Sequence, residues 1–244
     1  MTLLSGCYTA LVTPLRSKRE VDYEGLQKLV EFQVREGVDG ILAVGTTGES
    51  PTLDWNEHNK VIEGVLEAIG NKGITMAGTG SNSTQEAIEG TAHAQRIGVN
   101  YVLLVDPYYN GPSSLEISRE YIEPIAKQFP NIQLIPYIIP GRTGTQLLPQ
   151  DLATLHQRYP NVRCVKEATG EINNMELTRK LCGEDFDILS GDDDITYDVM
   201  VSPKIAASGV ISVTSNIAPR AVANMTHNII DGNIDEAKRI AQTL

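Results

Sequence analysis

Three cysteines in 244 residues, Cys7, Cys164 and Cys182, are too few and too scattered to form a disulfide framework or a zinc knuckle, so reduced thiols are expected. The four histidines, His58, His93, His156 and His227, all fall in stretches of helical spacing and show no ligand spacing. No metal site is therefore expected, and a metal-dependent aldolase is disfavoured. Positive charge is also short: 20 Lys and Arg against 31 Asp and Glu leave a net charge of -11. That balance repels nucleic acid and anionic lipid, and no basic stripe reverses it locally. No apolar run is long enough to span a membrane, and "MTLLSGCYTALVTP" has no basic region ahead of its apolar stretch, as a signal peptide would. The expected setting is the cytoplasm, and the expected partners are small molecules and further copies of the chain.

Low-complexity tracts and linker-like shifts in composition are absent too, which favours a single domain. The regular feature is an alternation of short runs rich in Val, Ile and Leu with longer stretches of helical spacing. The runs are 7–13, 40–44, 75–78, 101–106, 133–138, 162–166, 187–190 and 209–213. Between them, Leu26, Leu29, Val30 and Val34 form one helical stripe; Val61, Ile62, Val65 and Ile69 form a second; Val222, Met225 and Ile229 form a third. Asp54 followed by Glu57 approximates a capping box, and Pro149 and Asp151 stand where a helix should begin. Eight strands alternating with helices is the count of a (β/α)8 barrel. A doubly wound open sheet lacks its G-x-G-x-x-G after the first strand.

In a barrel the chemistry sits at the C-terminal ends of the strands, and the unusual residues of this sequence fall there. Lys166 ends an apolar run, where alternation puts it on the same side as Val162 and Cys164. It is either a lysine snorkelling to water beside an acid, or an amine kept neutral so that it can attack a carbonyl. The small residues of "GTTGES" form either a plain tight connection or a cradle whose N–H groups, with the hydroxyls of Thr46 and Thr47, converge on a small carboxylate. Tyr137, on the neighbouring strand, has a phenol able to donate and accept protons, and Arg142 carries a planar fork suited to a carboxylate or to a surface ion pair. Tyr108 and Tyr109 suit an aromatic surface patch. The run Asp192-Asp193-Asp194 reads as helix capping, and it argues against a phosphate site after the seventh strand.

Together "DGILAVGTTGESPTLDWNE", "VDPYYNGPS", "YIIPGRTG", "VKEATG", "LSGDD" and "GVISV" occur in an order that resembles the dihydrodipicolinate synthase and N-acetylneuraminate lyase family, from the first strand to the end of the chain. The resemblance implies a class I aldolase-type condensation on a TIM barrel. Pyruvate forms a Schiff base with the lysine, becomes an enamine and attacks L-aspartate 4-semialdehyde, with no cofactor and no metal. It implies Lys166 as the Schiff-base lysine, Tyr137 as proton relay, Thr47 as the link to a second tyrosine, and Tyr109 as that tyrosine, reaching in from a neighbouring subunit of a homodimer or homotetramer. Thr46 matches the binder of the pyruvate carboxylate, Arg142 the holder of the aldehyde's carboxylate, and Gly191 and Ile211 the pocket lining. Ser50, Trp55, His58, Asn82, Glu86 and Tyr108 match an interfacial site for lysine as feedback effector. Two other readings stay open: a sialic acid lyase, and a barrel that binds without turnover.

Two residues depart from the family pattern, Ile138 after the tyrosine and Asp106 before "PYYN", and either is expected to retune the site. The resemblance also divides the chain into a barrel over 1–231 and, over 232–244, only the beginning of the family's C-terminal helical domain.

Overall fold

The computed structural model describes residues 4–244, so the first three residues of the expected barrel lie outside it. The eight apolar runs become β1 (Gly6–Ala10), β2 (Gly40–Ala43), β3 (Ile74–Gly78), β4 (Tyr101–Val105), β5 (Gln133–Ile138), β6 (Cys164–Glu167), β7 (Asp187–Ser190) and β8 (Gly209–Ser212). Each pairs in parallel with the next, and β8 returns to β1 with Tyr8 opposite Ile211, closing the barrel. The helices are α1 (Tyr23–Arg35), α2 (Trp55–Ile69), α3 (Thr84–Ile97), α4 (Ser114–Glu116), α5 (Glu123–Gln128), α6 (Pro140–Thr143), α7 (Pro149–Arg158), α8 (Ile172–Cys182), α9 (Thr196–Val201), α10 (Pro219–Ile230) and α11 (Ile234–Ala241). A π-helical turn, Ile117–Ile122, joins α4 to α5. None of these helices is long and apolar enough to cross a membrane.

Alternation along the strands sorts side chains into two cores. Tyr8, Leu42, Met76, Leu103, Ile135, Cys164, Leu189 and Ile211 fill the barrel interior. Ile41, Ala43, Ala77, Val102, Leu104, Leu134, Val165 and Ile188 face outward against the helices. Val162 departs from its expected place: β6 begins only at Cys164, and Val162, still in the connection, packs in the outer layer.

The helix signals translate into caps. Asp54 accepts from the N–H groups of Asn56 and Glu57 at the start of α2, and Pro149 occupies the first position of α7. Gln33, on the buried face of α1, joins helix to barrel: its Oε1 accepts from Thr9 Oγ1 at 2.7 Å and its Nε2 donates to the Ser215 carbonyl at 2.9 Å. Both ends of the amide are satisfied, so it is tolerated at 0% exposure.

The loop after β2 is aimed by backbone strain. Val44 has φ +49°, a region that a β-branched residue rarely enters. Gly78, at the end of β3, leaves room for it: a Cβ there would lie 2.4 Å from the Val44 carbonyl oxygen. Gly78→Ala is expected to push this carbonyl away and to cost about 1–3 kcal/mol, the range for overpacking and displaced backbone. Thermal denaturation checks this; an unchanged Tm would mean that the Val44 turn relaxes freely.

Candidate active site

Lys166 and Tyr137 face each other in the register of β5 and β6, and both point into the barrel mouth. Each is 4% exposed, and Lys166 Nζ lies 4.1 Å from the centre of the Tyr137 ring. Contact with the ring and the nearby charges of Asp193 and Asp192 favour the ammonium, whereas Arg142 disfavours it. Burial outweighs the favourable group and lowers the lysine pKa from 10.5 to about 8. At pH 7 about a tenth of the amine is then neutral, roughly 300-fold more than for a free lysine. The snorkelling alternative needs a head group in water, which this burial excludes.

Burial pushes the Tyr137 phenol up to about 12, while a hydrogen bond with the Thr46 side chain and the charge of Arg142 pull the other way. The threonine that acts on Tyr137 is thus Thr46, whereas the resemblance implied Thr47 as the link. Thr46 stands directly after the Val44-Gly45 turn and lines the cavity with Val44, Gly45, Tyr108, Tyr137 and Arg142. Its volume of ≈ 180 Å³ lies below the ~300–1,000 Å³ of drug-sized sites and suits a small molecule. The loop is held by Thr13 Oγ1, which donates to the Gly48 carbonyl at 2.7 Å. Among the described residues, the amides of Thr46, Thr47 and Gly48 meet no backbone acceptor.

Arg142, on the single turn of α6, is exposed at the cavity rim. Gly191 lies against the lysine: a Cβ would sit 3.1 Å from Lys166 Cε and 2.6 Å from Ala168 Cβ. Ile211 is fully buried in the interior below the site. Tyr109 is not in the cavity. It stands 89% exposed with φ +80°, an aromatic side chain held outward on strained backbone.

The aspartates after β7 do not cap. Asp192 precedes a short 3-10 turn without a side-chain capping bond. Asp193 instead holds the end of β8: Oδ1 accepts from Ser212 Oγ at 2.5 Å, and Oδ2 from the N–H groups of Val213 and Thr214 at 2.9 and 3.0 Å. Both carboxylates act electrostatically on Lys166, a role that the sequence reading missed. Ile138 packs outward with the helix-facing core, so it does not touch the cavity and its departure is a packing change.

The residues matched to an effector site fall into two linked sets. Ser50 Oγ lies 3.1 Å from His58 Nε2, and the His58 ring lies tilted against Trp55 with centroids 4.7 Å apart. Burial lowers the His58 pKa to about 4, so this ring is neutral. Glu86 accepts from Ser81 Oγ at 2.5 Å, and its charge, after burial, raises the Tyr108 phenol, which the Asn82 backbone meets. Ser50 and Tyr108 line the same cavity as Thr46 and Arg142.

A buried amine of lowered pKa, at the C-terminal end of a strand beside a phenol, defines a class I, Schiff-base (β/α)8 enzyme. The sequence profile described as the dihydrodipicolinate synthetase family matches residues 3–244, and the chain belongs to that family. It is 43% identical over 242 residues to a 4-hydroxy-tetrahydrodipicolinate synthase of Pelobacter propionicus, covering 99% of this chain and 81% of that one. It superposes with TM-score 0.92 and 36% identity on the chloride-inhibited dihydrodipicolinate synthase of Acinetobacter baumannii complexed with pyruvate, covering 98% of this chain and 80% of that one. The enzyme of Cyanidioschyzon merolae with lysine bound gives TM-score 0.92 and 35% identity, covering 99% and 80%.

The lowered pKa of Lys166 has two measurable consequences. Its modification by a small aldehyde under reducing conditions, followed by peptide mass spectrometry, should accelerate as pH rises and level off above about 8. A rate still climbing beyond pH 10 would mean that burial does not lower the amine. Because the unfolded chain holds this proton to a higher pH than the folded one, the contribution of Lys166 to stability improves as pH rises from about 8 towards 10.5.

Proposed function

We propose that this chain is a 4-hydroxy-tetrahydrodipicolinate synthase, condensing pyruvate with L-aspartate 4-semialdehyde on the route to lysine. The observation that carries the reading is Lys166, buried, lowered to a pKa of about 8 and opposite Tyr137. Neutral Nζ attacks the pyruvate carbonyl, and loss of water leaves a Schiff base whose positive nitrogen draws electrons from the methyl group. A methyl proton departs, and the enamine carbon attacks the aldehyde. Tyr137 is the group placed to carry protons, with Thr46 as the first link of its relay. Thr47 and the free amides of the loop take the pyruvate carboxylate, and Arg142 takes the carboxylate of the aldehyde. The reaction uses the lysine side chain itself and needs no other cofactor.

Tyr109 completes the relay from a neighbouring copy. Its exposure and left-handed backbone support that reading, because strain of this kind on an exposed aromatic residue serves little purpose in a lone chain. The working protein is then a homo-oligomer, a dimer or tetramer of cytoplasmic setting. Lysine acts as effector between copies, its ammonium meeting Glu86 and its alkyl chain Trp55; the lysine-bound relative supports this.

Borohydride reduction in the presence of pyruvate should leave an adduct on Lys166, and Lys166→Met should abolish both the adduct and condensation while the protein stays folded. A fully active K166M would refute the mechanism. Thr46→Val should lower kcat by about 10²–10⁴, the range for general acid-base groups, with Thr47→Val acting mainly on the KM for pyruvate. The reverse pattern would restore the relay to Thr47. For the effector, Glu86→Ala should relieve inhibition by lysine without changing uninhibited turnover; equal inhibition of the variant would remove Glu86 from the site.

A further inference from the structure

Asp106 follows β4 directly, and its backbone N–H donates to the Tyr137 carbonyl at 3.1 Å. Its side chain points outward, behind the catalytic strands, and is 0% exposed. Oδ2 accepts from the Leu147 N–H at 3.0 Å. Oδ1 is buried with no hydrogen-bond partner among the described residues. An ionised carboxylate with one oxygen unpaired in such a place costs several kcal/mol, so the neutral acid is favoured. The neighbouring Glu167 acts in the same direction, and burial pushes the Asp106 carboxyl up to about 8.

The bond to Leu147 matters because of what it ends. Residues 139–148 connect β5 to α7 and contain little besides the four-residue turn of α6, which carries Arg142. The turn closes on Gly144 at φ +70°, and its other ties are near the surface. Tyr109 N–H donates to the Thr143 carbonyl at 3.4 Å, Thr145 Oγ1 donates to the Pro112 carbonyl, and Leu148 N–H donates to Ser114 Oγ at 2.8 Å. Asp106 makes the tie that is fully buried, and it anchors the far end of the segment to the strand beside Tyr137. Arg142 thus sits on a segment whose far end is held by a carboxyl that does not line the cavity.

We infer that Asp106 is a positioning residue for the second substrate: as a neutral acid it staples the 139–148 segment to β4 and so fixes Arg142 for the carboxylate of the incoming aldehyde. This rests on the condensation proposed above and on the role given there to Arg142. On that reading pyruvate is held by the loop after β2 and by Lys166, to which the Asp106 carboxyl makes no hydrogen bond.

Steady-state kinetics of Asp106→Ala and Asp106→Asn tests it, with Arg142→Ala as reference. D106A should raise the KM for the aldehyde by about tenfold, leave the KM for pyruvate within about twofold, and still give the borohydride adduct on Lys166. D106N accepts from the Leu147 N–H as the neutral acid does, and should keep the aldehyde KM within about twofold of the original. In the double variant D106A/R142A the two effects should not add, because both act through one guanidinium. Should alanine not fold, Asp106→Ser, whose hydroxyl falls short of Leu147, takes its place. Three results would overturn the inference: a pyruvate KM that rises as much as that of the aldehyde, additive effects with R142A, or a D106N as impaired as D106A. Absence of the Lys166 adduct in the unsubstituted enzyme would instead fell the condensation reading itself.

Discussion

The structure turns on the cost of keeping one ammonium group out of water. Lys166 is surrounded by barrel interior, and burial outweighs the contact with Tyr137 and two nearby aspartates in setting its pKa. Most other features of the site follow from that cost. The carboxylates must lie near enough to keep the fold tolerable but must not form a close pair, since a close ion pair would restore the lysine to full charge. The phenol must lie against the amine without being ionised, and burial ensures this by raising Tyr137 to about 12.

The period-two alternation of a strand divides the labour at each strand end. On β5, Tyr137 faces the chemistry and Ile138 the packing; on β6, Lys166 faces inward and Glu167 outward, 2% exposed and with its carboxyl raised to about 7 by burial. At the end of β4, Val105 lines the cavity and Asp106 turns away from it. Reactive groups and the groups that hold them in place are therefore chain neighbours on opposite faces of one sheet. A substitution one residue from the catalytic position acts through packing and loop placement rather than by contact with substrate.

Much of this was legible in the sequence. The eight apolar runs fell on the eight strands with ends shifted by a few residues, because short β-rich runs bounded by Gly, Pro and Asp have few alternatives. Lys166 stood out for a physical reason: an unpaired lysine closing a buried strand needs an explanation. What stayed hidden were relations between side chains far apart in sequence or adjacent within one loop. Thr46 and Thr47 are chemically alike and adjacent, so the sequence alone could not tell which of them meets Tyr137. Asp193 resembled a cap because aspartates before a helix usually are; its bonds to Ser212, Val213 and Thr214 depend on β8 lying beside β7. Gln33, a polar residue on an apolar stripe, gave no sign that Thr9 and Ser215 would satisfy it.

The way Asp193 is held has a consequence for any cation formed at Lys166. Its two oxygens are already taken by three donors from the end of β8, so the carboxylate cannot swing in to collapse onto a positive nitrogen. Its field is nonetheless present before any bond to the amine has formed, and it stays in place while the charge appears and disappears. The barrel thereby carries a counter-charge that needs no rearrangement during the reaction, and a fixed charge of this kind spares the chemical step the reorganisation that water would impose.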